Sequence, residues 1–362
     1  MVESHKIPGP YRPPYPIPPG FTIREFMGAR EMTQVELARR LGRPESVVSE
    51  IINAKKAITE DTAFQLERVL GAPASFWLNL EKGYRELLAR KAEQARLEDQ
   101  AASLKDFPYG ELVKRGVFEK EANKTARVGQ ILSWLQVANV DALHDQICKG
   151  VLAYRRSPKY DLSALKLAAW MRLGELEFDA LDLPKYDAEG LKKNLQKLKS
   201  LTLAEPATAL ARMKELTTKC GLAALVIPGF SSFPVSGITR WRQGHPLIQL
   251  TLRGRRADKF WFTLFHEIGH VLRHSQTDIF IEIMDRPHQD NPYETQANQF
   301  AEDVLIPPDD YEQFTRRLPI SREQIIGFAK KIGVAPGIVL GRLQNDNVVQ
   351  QSHFVDLHLR TG

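Results

Sequence analysis

Apolar residues recur at two different periods along the chain, and the change of period divides it into regions. From residue 21 to about residue 203 they repeat every three or four positions between Gly, Pro and Asn breakers, which predicts a succession of helices. After residue 221, short β-rich runs bounded by Gly and Pro predict a small sheet. A helical period returns from residue 260. We therefore predict a mainly α chain with a small sheet, of the α+β class.

Composition narrows the class of protein. With 362 residues, 43% of them hydrophobic and 26% charged, the chain is typical of a soluble protein with about two or three domains. No apolar run reaches the roughly 18 residues of a membrane span, so no membrane partner is expected. The absence of an apolar secretion signal and the presence of only two cysteines predict a cytoplasmic location. The net charge of +6 is compatible with a polyanionic partner.

The strongest chemical signal lies in the segment from residue 260 to residue 274, FWFTLFHEIGHVLRH, which is apolar on nearly every face and predicts a buried helix. His266 and His270 lie one turn apart on one face, which is the spacing that grips a single Zn²⁺. Glu267, next to the first histidine, would then act as the general base. The alternative is three polar side chains satisfied within a core, although burying three ionisable groups without a metal is costly.

A catalytic zinc takes three protein ligands, so a third must come from further along the chain. Glu294 is the favoured choice because NPYETQANQFAEDVLIPP predicts a helix that begins at Asn291 and Pro292, with Glu294 beside its apolar stripe. The alternative is that Glu294 only completes a capping box with Asn291. Asn298, one turn on, is a possible partner of a ligand. The candidates for the third ligand are His274, Glu282, Asp285, His288, Asp290 and Glu294.

A second signal precedes residue 60, where MTQVELARRLGRPESVVSEIINAKKAIT predicts a helix-turn-helix. Ala38 is small where two helices must cross, and Gly42 suits the tight turn between them. Val48 and Ile51 would pack the second helix back on the first. Thr33 and Glu36 have the spacing of a capping box for the first helix.

The opposite face of the second helix would enter a major groove. We expect base contacts from Ser46, Ser49 and Asn53. We expect phosphate contacts from Thr33, Gln34, Arg43, Lys55 and Lys56. Residues 21–80 contain 8 Lys and Arg against 8 Asp and Glu, so this region lacks the basic surplus of a strong non-specific binder. A helical module for protein contacts is therefore the alternative.

Two family resemblances follow from these motifs. Residues 18–85 resemble the HigA-type antitoxins of the XRE helix-turn-helix class in PPGFTIREFM, MTQVELARRLG, VSEIINAKKAIT and LGAPASFWLNLEKGY. Residues from about 200 to 343 resemble the ImmA/IrrE metallopeptidases in SGITRW, FWFTLFHEIGH, ETQANQFAEDVLIP and GVAPGIVLGRL. The second resemblance implies a zincin-like domain with zinc on His266, His270 and Glu294, and with Glu267 as catalytic base. The first implies a five-helix domain that binds operator DNA, an inverted repeat, as a possible homodimer.

The predicted organisation has six parts. They are a Pro-rich leader at 1–20, a helix-turn-helix domain at 21–80, a helical connector at 81–106, a helical middle region at 107–200, a zincin-like metallopeptidase domain at 201–345 and a tail at 346–362. The expected function is that of a DNA-binding regulator or antitoxin whose zinc endopeptidase domain cleaves a protein partner or repressor. The main alternative is a non-enzymatic antitoxin and autorepressor whose zincin-like domain senses a signal or binds a toxin. The other is a peptidase whose first domain only recruits a protein.

Overall fold

The computed structural model describes residues 17–151, 163–252, 256–283, 291–316 and 318–358, without the side chains of 146–151. Most of the predicted leader and the end of the predicted tail therefore lie outside the described residues. The described chain forms two compact units: residues up to 102 together with 123–129, and residues 103–122 together with those from 130 onward. The α+β prediction is confirmed, because helices dominate both ends of the chain and one small sheet lies within the second unit.

Five of the described helices lie wholly within the first unit. They are α1 (Pro19–Gly28), α2 (Gln34–Leu41), α3 (Glu45–Ile52), α4 (Glu60–Leu70) and α5 (Ala74–Gln100). Their shared core is apolar and includes the fully buried Trp77. The second half of α5 is largely exposed, as its polar sequence predicts.

Helices α2 and α3 have the predicted helix-turn-helix packing. Ala38, Val48 and Ile51 are all buried in the core of this unit. Gly42 follows α2 in the left-handed region with φ of 65°, where glycine is favoured because it has no Cβ. The capping-box prediction was half wrong: Thr33 accepts a hydrogen bond from the backbone N–H of Glu36, but the Glu36 carboxylate pairs with arginines of its own helix.

The helices of the middle region follow. They are α6 (Tyr109–Lys114), α7 (Lys124–Leu135), α8 (Val140–Val151), α9 (Ala164–Asp179) and α10 (Ala188–Ser200). Helix α11 (Pro206–Thr218) follows them, within the range predicted for the metallopeptidase domain. The C-terminal region contains β1 (Ala223–Val226), β2 (Val235–Arg242), β3 (His245–Leu250), α12 (Ala257–Arg273), β4 (Phe280–Ile283), α13 (Pro292–Leu305), α14 (Pro308–Thr315), α15 (Arg322–Ile332) and α16 (Pro336–Asn345). None of the described helices alone is long and apolar enough to cross a membrane; α15 and α16 pass that test only together, with a 115° bend between them.

The sheet has the order β1-β3-β2-β4. Strand β3 pairs with β1 in parallel and with β2 antiparallel, and β2 also pairs antiparallel with β4. Gln243 and Gly244 close the β2–β3 hairpin with φ of 52° and 82°, the positive values that a tight two-residue loop requires. Three of the strands lie in the runs that the sequence predicts, whereas β4 has no counterpart in the prediction. The sheet supports one side of α12, whose Leu264, Phe265 and Ile268 are completely buried.

Two glycines of α1 provide a test of the packing in the first unit. A Cβ at Gly20 would lie 1.8 Å from the carbonyl oxygen of Ile52, while a Cβ at Gly28 would meet nothing within 4 Å. We expect Gly20→Ala to lower the free energy of unfolding by about 2 kcal/mol or more because α1 and α3 must separate. Gly28→Ala should be neutral or slightly stabilising. Denaturant unfolding of both full-length variants measures the difference in their free energies of unfolding, and equal values would contradict the close packing of α1 on α3.

Candidate functional site

The second unit buries a cluster of ionisable side chains in its interior. Helix α12 carries His266, Glu267 and His270, each at most 2% exposed. They are buried because apolar side chains surround them on the helix and the sheet covers one of its faces. Charged groups are rarely buried so completely without partners or a metal.

Three of the predicted residues converge on one point. The Nε2 atoms of His266 and His270 are 3.0 Å apart. The carboxylate oxygen Oε2 of Glu294 lies 3.1 Å from the first of these nitrogens and 3.5 Å from the second. The three potential ligand atoms all lie within 4.8 Å of one another.

Helix α13 brings Glu294 to the histidines. Asn291 caps this helix by accepting a hydrogen bond from the backbone N–H of Tyr293, at 3.0 Å. The Glu294 carboxylate faces the imidazoles, as the ligand hypothesis requires. Among the other candidates for a third ligand, Glu282 on β4 lies 3.6 Å from His266 Nε2, while His274 contacts the far side of the His270 ring. Asp285, His288 and Asp290 lie outside the described residues.

The other ring nitrogens of the two histidines also have partners. His266 Nδ1 lies 2.8 Å from Asn298 Oδ1, so the amide oxygen accepts a hydrogen bond from Nδ1–H and Nε2 is the nitrogen that can act as a ligand. His270 Nδ1 lies 2.9 Å from His274 Nδ1. The His270 ring also stacks on Phe280 of β4, with ring centroids 4.0 Å apart. These contacts fix the orientation of both imidazoles.

Glu267 has a separate environment, supplied by β2. The Thr239 hydroxyl donates a hydrogen bond of 2.5 Å to Glu267 Oε2. The other oxygen, Oε1, accepts none from the described residues and lies where a Cβ at Gly237 would come within 2.4 Å. Neither Thr239 nor Gly237 was predicted from the sequence, because the strand-like spacing of SGITRW does not indicate which helix the strand faces.

The electrostatics of the cluster favour a cation. Burial opposes protonation of His266, but the carboxylates of Glu294, Glu282 and Glu267 together raise its pKa to about 9. Burial raises the pKa of Glu267 to about 8. Burial also lowers the pKa of His270 to about 4. The carboxylates of Glu267, Glu282 and Glu294 thus surround His266 with few positive charges to balance them, which favours a bound cation.

The donor set fits a divalent metal of the zinc type. Two imidazole nitrogens and one carboxylate oxygen are the ligands of many catalytic zinc sites, which keep a further position open. The acidic surroundings would stabilise a cation, and the partners of the two Nδ1 atoms leave both Nε2 atoms for binding it. His266, His270 and Glu294 are therefore the residues that could hold a metal.

The predicted DNA-contact residues of the first unit lie around α2 and α3. Ser46, Asn53, Lys55 and Lys56 are exposed, and Ser49 is half-buried. Asn53 donates a hydrogen bond of 2.9 Å to the Ser49 carbonyl, so the two share one face of the helix.

The remaining three predicted residues surround the start of α2 and the turn. Thr33 is exposed and Gln34 half-buried, both at the first turn of α2. The Arg43 guanidinium donates a hydrogen bond of 2.6 Å to Gln65, so α4 restrains its direction.

Two family models match the chain, one for each of these regions. Residues 225–344 match the model of a peptidase family described as the IrrE N-terminal-like domain. Residues 23–77 match a helix-turn-helix model. Virulence-associated protein I of Dichelobacter nodosus is 32% identical over 80 residues, which are 22% of this chain and 74% of that protein. Virulence-associated protein A of the same organism is 46% identical over 50 residues, 14% of this chain, and the match spans only 49% of that protein's length.

Solved structures similar to this chain also match only part of it. A HigA-family addiction module antidote protein from Coxiella burnetii is 34% identical, covering 24% of this chain and 94% of its own, with a TM-score of 0.22. The Pseudomonas aeruginosa antitoxin HigA, solved with the higBA promoter, is 31% identical and covers 24% and 95%, with a TM-score of 0.23.

The chain thus combines a helix-turn-helix domain with a domain of a metallopeptidase family. Residues 23–77 belong to the XRE helix-turn-helix family, and residues 225–344 match the model of the peptidase family described as the IrrE N-terminal-like domain. This confirms the two family resemblances identified in the sequence.

Two glycines test how tightly Glu267 is held. Gly237→Ala would force the Glu267 carboxylate or the Thr263 methyl group to move, since these lie 2.4 Å and 2.9 Å from the added Cβ. We expect a loss of about 1–3 kcal/mol in the free energy of unfolding. Gly327→Ala in α15, where the Cβ meets nothing within 4 Å, should instead stabilise by up to about 1 kcal/mol. Denaturant titration measures both; a stable Gly237→Ala protein would mean that the carboxylate relocates freely.

Proposed function

We propose that the C-terminal domain is a zinc-dependent endopeptidase that cleaves a protein, and that the N-terminal domain binds operator DNA. The observation that carries the peptidase proposal is the approach of three ligand atoms within 4.8 Å of one another, beside a fourth buried group, Glu267, that is held by another element. Membership of the peptidase family supports the same reaction class.

In this proposal His266 and His270 hold zinc through Nε2 and Glu294 holds it through its carboxylate. When bound, zinc supplies a Lewis acid that polarises a peptide carbonyl and makes water a better nucleophile near neutral pH. Asn298 and His274 keep the two imidazoles in the tautomer that leaves Nε2 unprotonated.

Glu267 is the proposed general base. It takes a proton from the attacking water and transfers it to the nitrogen of the leaving amine. Thr239 holds one carboxylate oxygen, so the other oxygen is the one available for the proton. Burial raises the pKa of Glu267, which makes its carboxylate a stronger base than an exposed glutamate.

The surroundings of the cluster suit an extended peptide. Strand β4 is an edge of the sheet within the described residues, and its Glu282 lies 3.6 Å from His266 Nε2. A substrate chain that pairs with this edge would run beside the cluster. A cavity of about 550 Å³ that includes Glu282 and Asn298 in its lining adjoins the same place and could receive a side chain. The proposed substrate is a protein partner, a repressor or a toxin.

The DNA-binding proposal rests on the exposed face of α3. Ser46, Ser49 and Asn53 follow one another at three- and four-residue steps, so they can reach base edges together. Lys55 and Lys56 follow the helix and are exposed, which suits phosphate contacts. The proposed operator is an inverted repeat bound by two copies of the chain.

A set of three variants tests the peptidase proposal. Purified wild type should contain about one zinc per chain. His266→Ala should lose it, and Glu294→Ala should bind it far more weakly because each removes a ligand. Glu267→Gln should keep zinc and lose about a thousandfold or more of any cleavage rate, because the amide cannot accept the proton. Metal analysis and digestion assays on co-encoded proteins and a peptide library give the two measurements.

The outcomes separate the alternatives. If Glu294→Ala keeps full zinc affinity, Glu294 is not a ligand and the alternative of a capping role at the start of α13 is favoured. Stoichiometric zinc without cleavage of any tested protein would instead favour the non-enzymatic antitoxin, in which the domain senses a signal or binds a toxin. Cleavage that survives Glu267→Gln would contradict the assigned base.

The DNA-binding proposal has its own variants. Asn53→Ala should relax base preference, with a loss of about 1–3 kcal/mol on the specific operator. Lys56→Ala should weaken all sequences alike and reduce the salt slope by about 1. The matched control is Lys82→Ala, at an exposed lysine on α5, which should change neither the base preference nor the salt dependence of binding. Titration of promoter fragments at several salt concentrations measures these effects. If full-length wild type does not bind its own promoter at low salt, the helix-turn-helix domain is a module for protein contacts and the DNA-binding proposal is wrong.

A further inference from the structure

A second cavity lies in the second unit, next to strand β2. Its volume is about 380 Å³, and its lining comes from α7, α8, α9, β2, β4 and residues adjoining α7 and β4. Side chains alternate along a strand, so Arg240 and Arg242 face away from the side on which Gly237 and Thr239 meet Glu267. The cavity is therefore separate from the candidate metal centre.

Among the described residues, the charged members of this lining are three arginines and one glutamate. Arg242 is already neutralised, because Asp179 accepts hydrogen bonds of 2.8–3.0 Å from its guanidinium. Arg172 and Arg240 share the single carboxylate of Glu175, at 3.2 Å and 3.7 Å respectively. Three guanidinium groups against two carboxylates leave one positive charge without a counterion among the described residues.

The surplus charge is centred on Arg240. This side chain is 5% exposed, and burial lowers its pKa to about 10. Its Nη2 donates to the Met171 carbonyl at 2.8 Å, while Nη1 has no hydrogen-bond partner in the described part of the chain. Glu175 Oε1, at 3.7 Å, is too far for a hydrogen bond. A buried cation with an unsatisfied donor is costly unless an anion completes it.

The rest of the lining is mostly apolar. Leu135, Leu143, Leu167, Met171 and Ile281 form most of the wall around the arginines. A cavity of this size with an apolar wall and a few polar groups is typical of a small-molecule site. Inorganic anions would leave that wall without contacts, and a dianion would exceed the single surplus charge.

We propose that this cavity binds a small organic carboxylate, a monoanion with a short apolar body, whose charged end pairs with Arg240 and Arg172. The apolar body packs on the leucine and methionine side chains. Glu175 competes with the ligand for the same two guanidinium groups, so it sets an upper limit on the affinity. This inference is independent of peptidase activity.

Octanoate is a suitable probe, with octanamide as its neutral counterpart. In calorimetric titrations of the full chain, we expect saturable 1:1 binding of octanoate and at least tenfold weaker binding of octanamide. Glu175→Gln should tighten octanoate binding severalfold because the competing carboxylate is removed. Arg240→Met should weaken it at least tenfold. The control Arg212→Met, an exposed arginine on α11 paired with Glu215, should bind octanoate like wild type.

Several results would overturn the proposal. These are no saturable octanoate binding to wild type, equal binding of octanamide, or unchanged or weaker binding to a folded Glu175→Gln variant. Inorganic phosphate that binds more tightly than octanoate would also overturn it, because it would assign the charged residues to a phosphate and leave the apolar wall without a role. If Arg240→Met fails to fold, Glu175→Gln still decides the question, because the proposal requires a gain in affinity and not a loss.

Discussion

The close approach of helices α12 and α13 is the constraint on which the candidate metal centre depends. Gly269 lies at their crossing, where a Cβ would be 3.1 Å from Phe300 and 3.2 Å from the Cα of Ala297. Because this glycine of the HEIGH segment lacks that atom, α13 packs directly on α12, and Glu294 reaches His266 and His270. An added Cβ at 269 would require α13 to give by a few tenths of an ångström at this crossing, and Glu294 lies on the helix that would have to move.

That packing has an electrostatic cost that explains the character of the site. It brings Glu294 close enough to the buried Glu267 and the half-buried Glu282 for the carboxylates to repel one another. The neighbouring carboxylates compensate by raising the pKa of His266, which then holds a proton. A divalent cation would replace that proton and neutralise more charge at the same position, so the geometry and the charge of the cluster favour the same kind of ligand.

How much of the site can be predicted from the sequence depends on how far apart along the chain the contacting residues lie. The helix-turn-helix and the His266–His270 pair were recognisable because their contacts lie within one helix or between neighbouring helices. Glu294 was the favoured one of six candidates for the third ligand, but its position depends on how two helices cross, which the sequence does not specify. Thr239 is 28 residues from Glu267, and the contact between them was not predicted from the sequence; neither was strand β4. The predicted pair of Thr33 and Glu36 failed in part because two nearby arginines compete for the carboxylate.

Strand β2 contributes functional side chains to both faces of the sheet, and its pairing register decides which side chain lies on which face. Gly237 and Thr239 face Glu267 on one side, and Arg240 and Arg242 line the second cavity on the other. A one-residue slip in pairing would exchange the two faces. A register slip of the whole strand would therefore remove the support of the Glu267 carboxylate and displace Arg240 and Arg242 from the second cavity in one event.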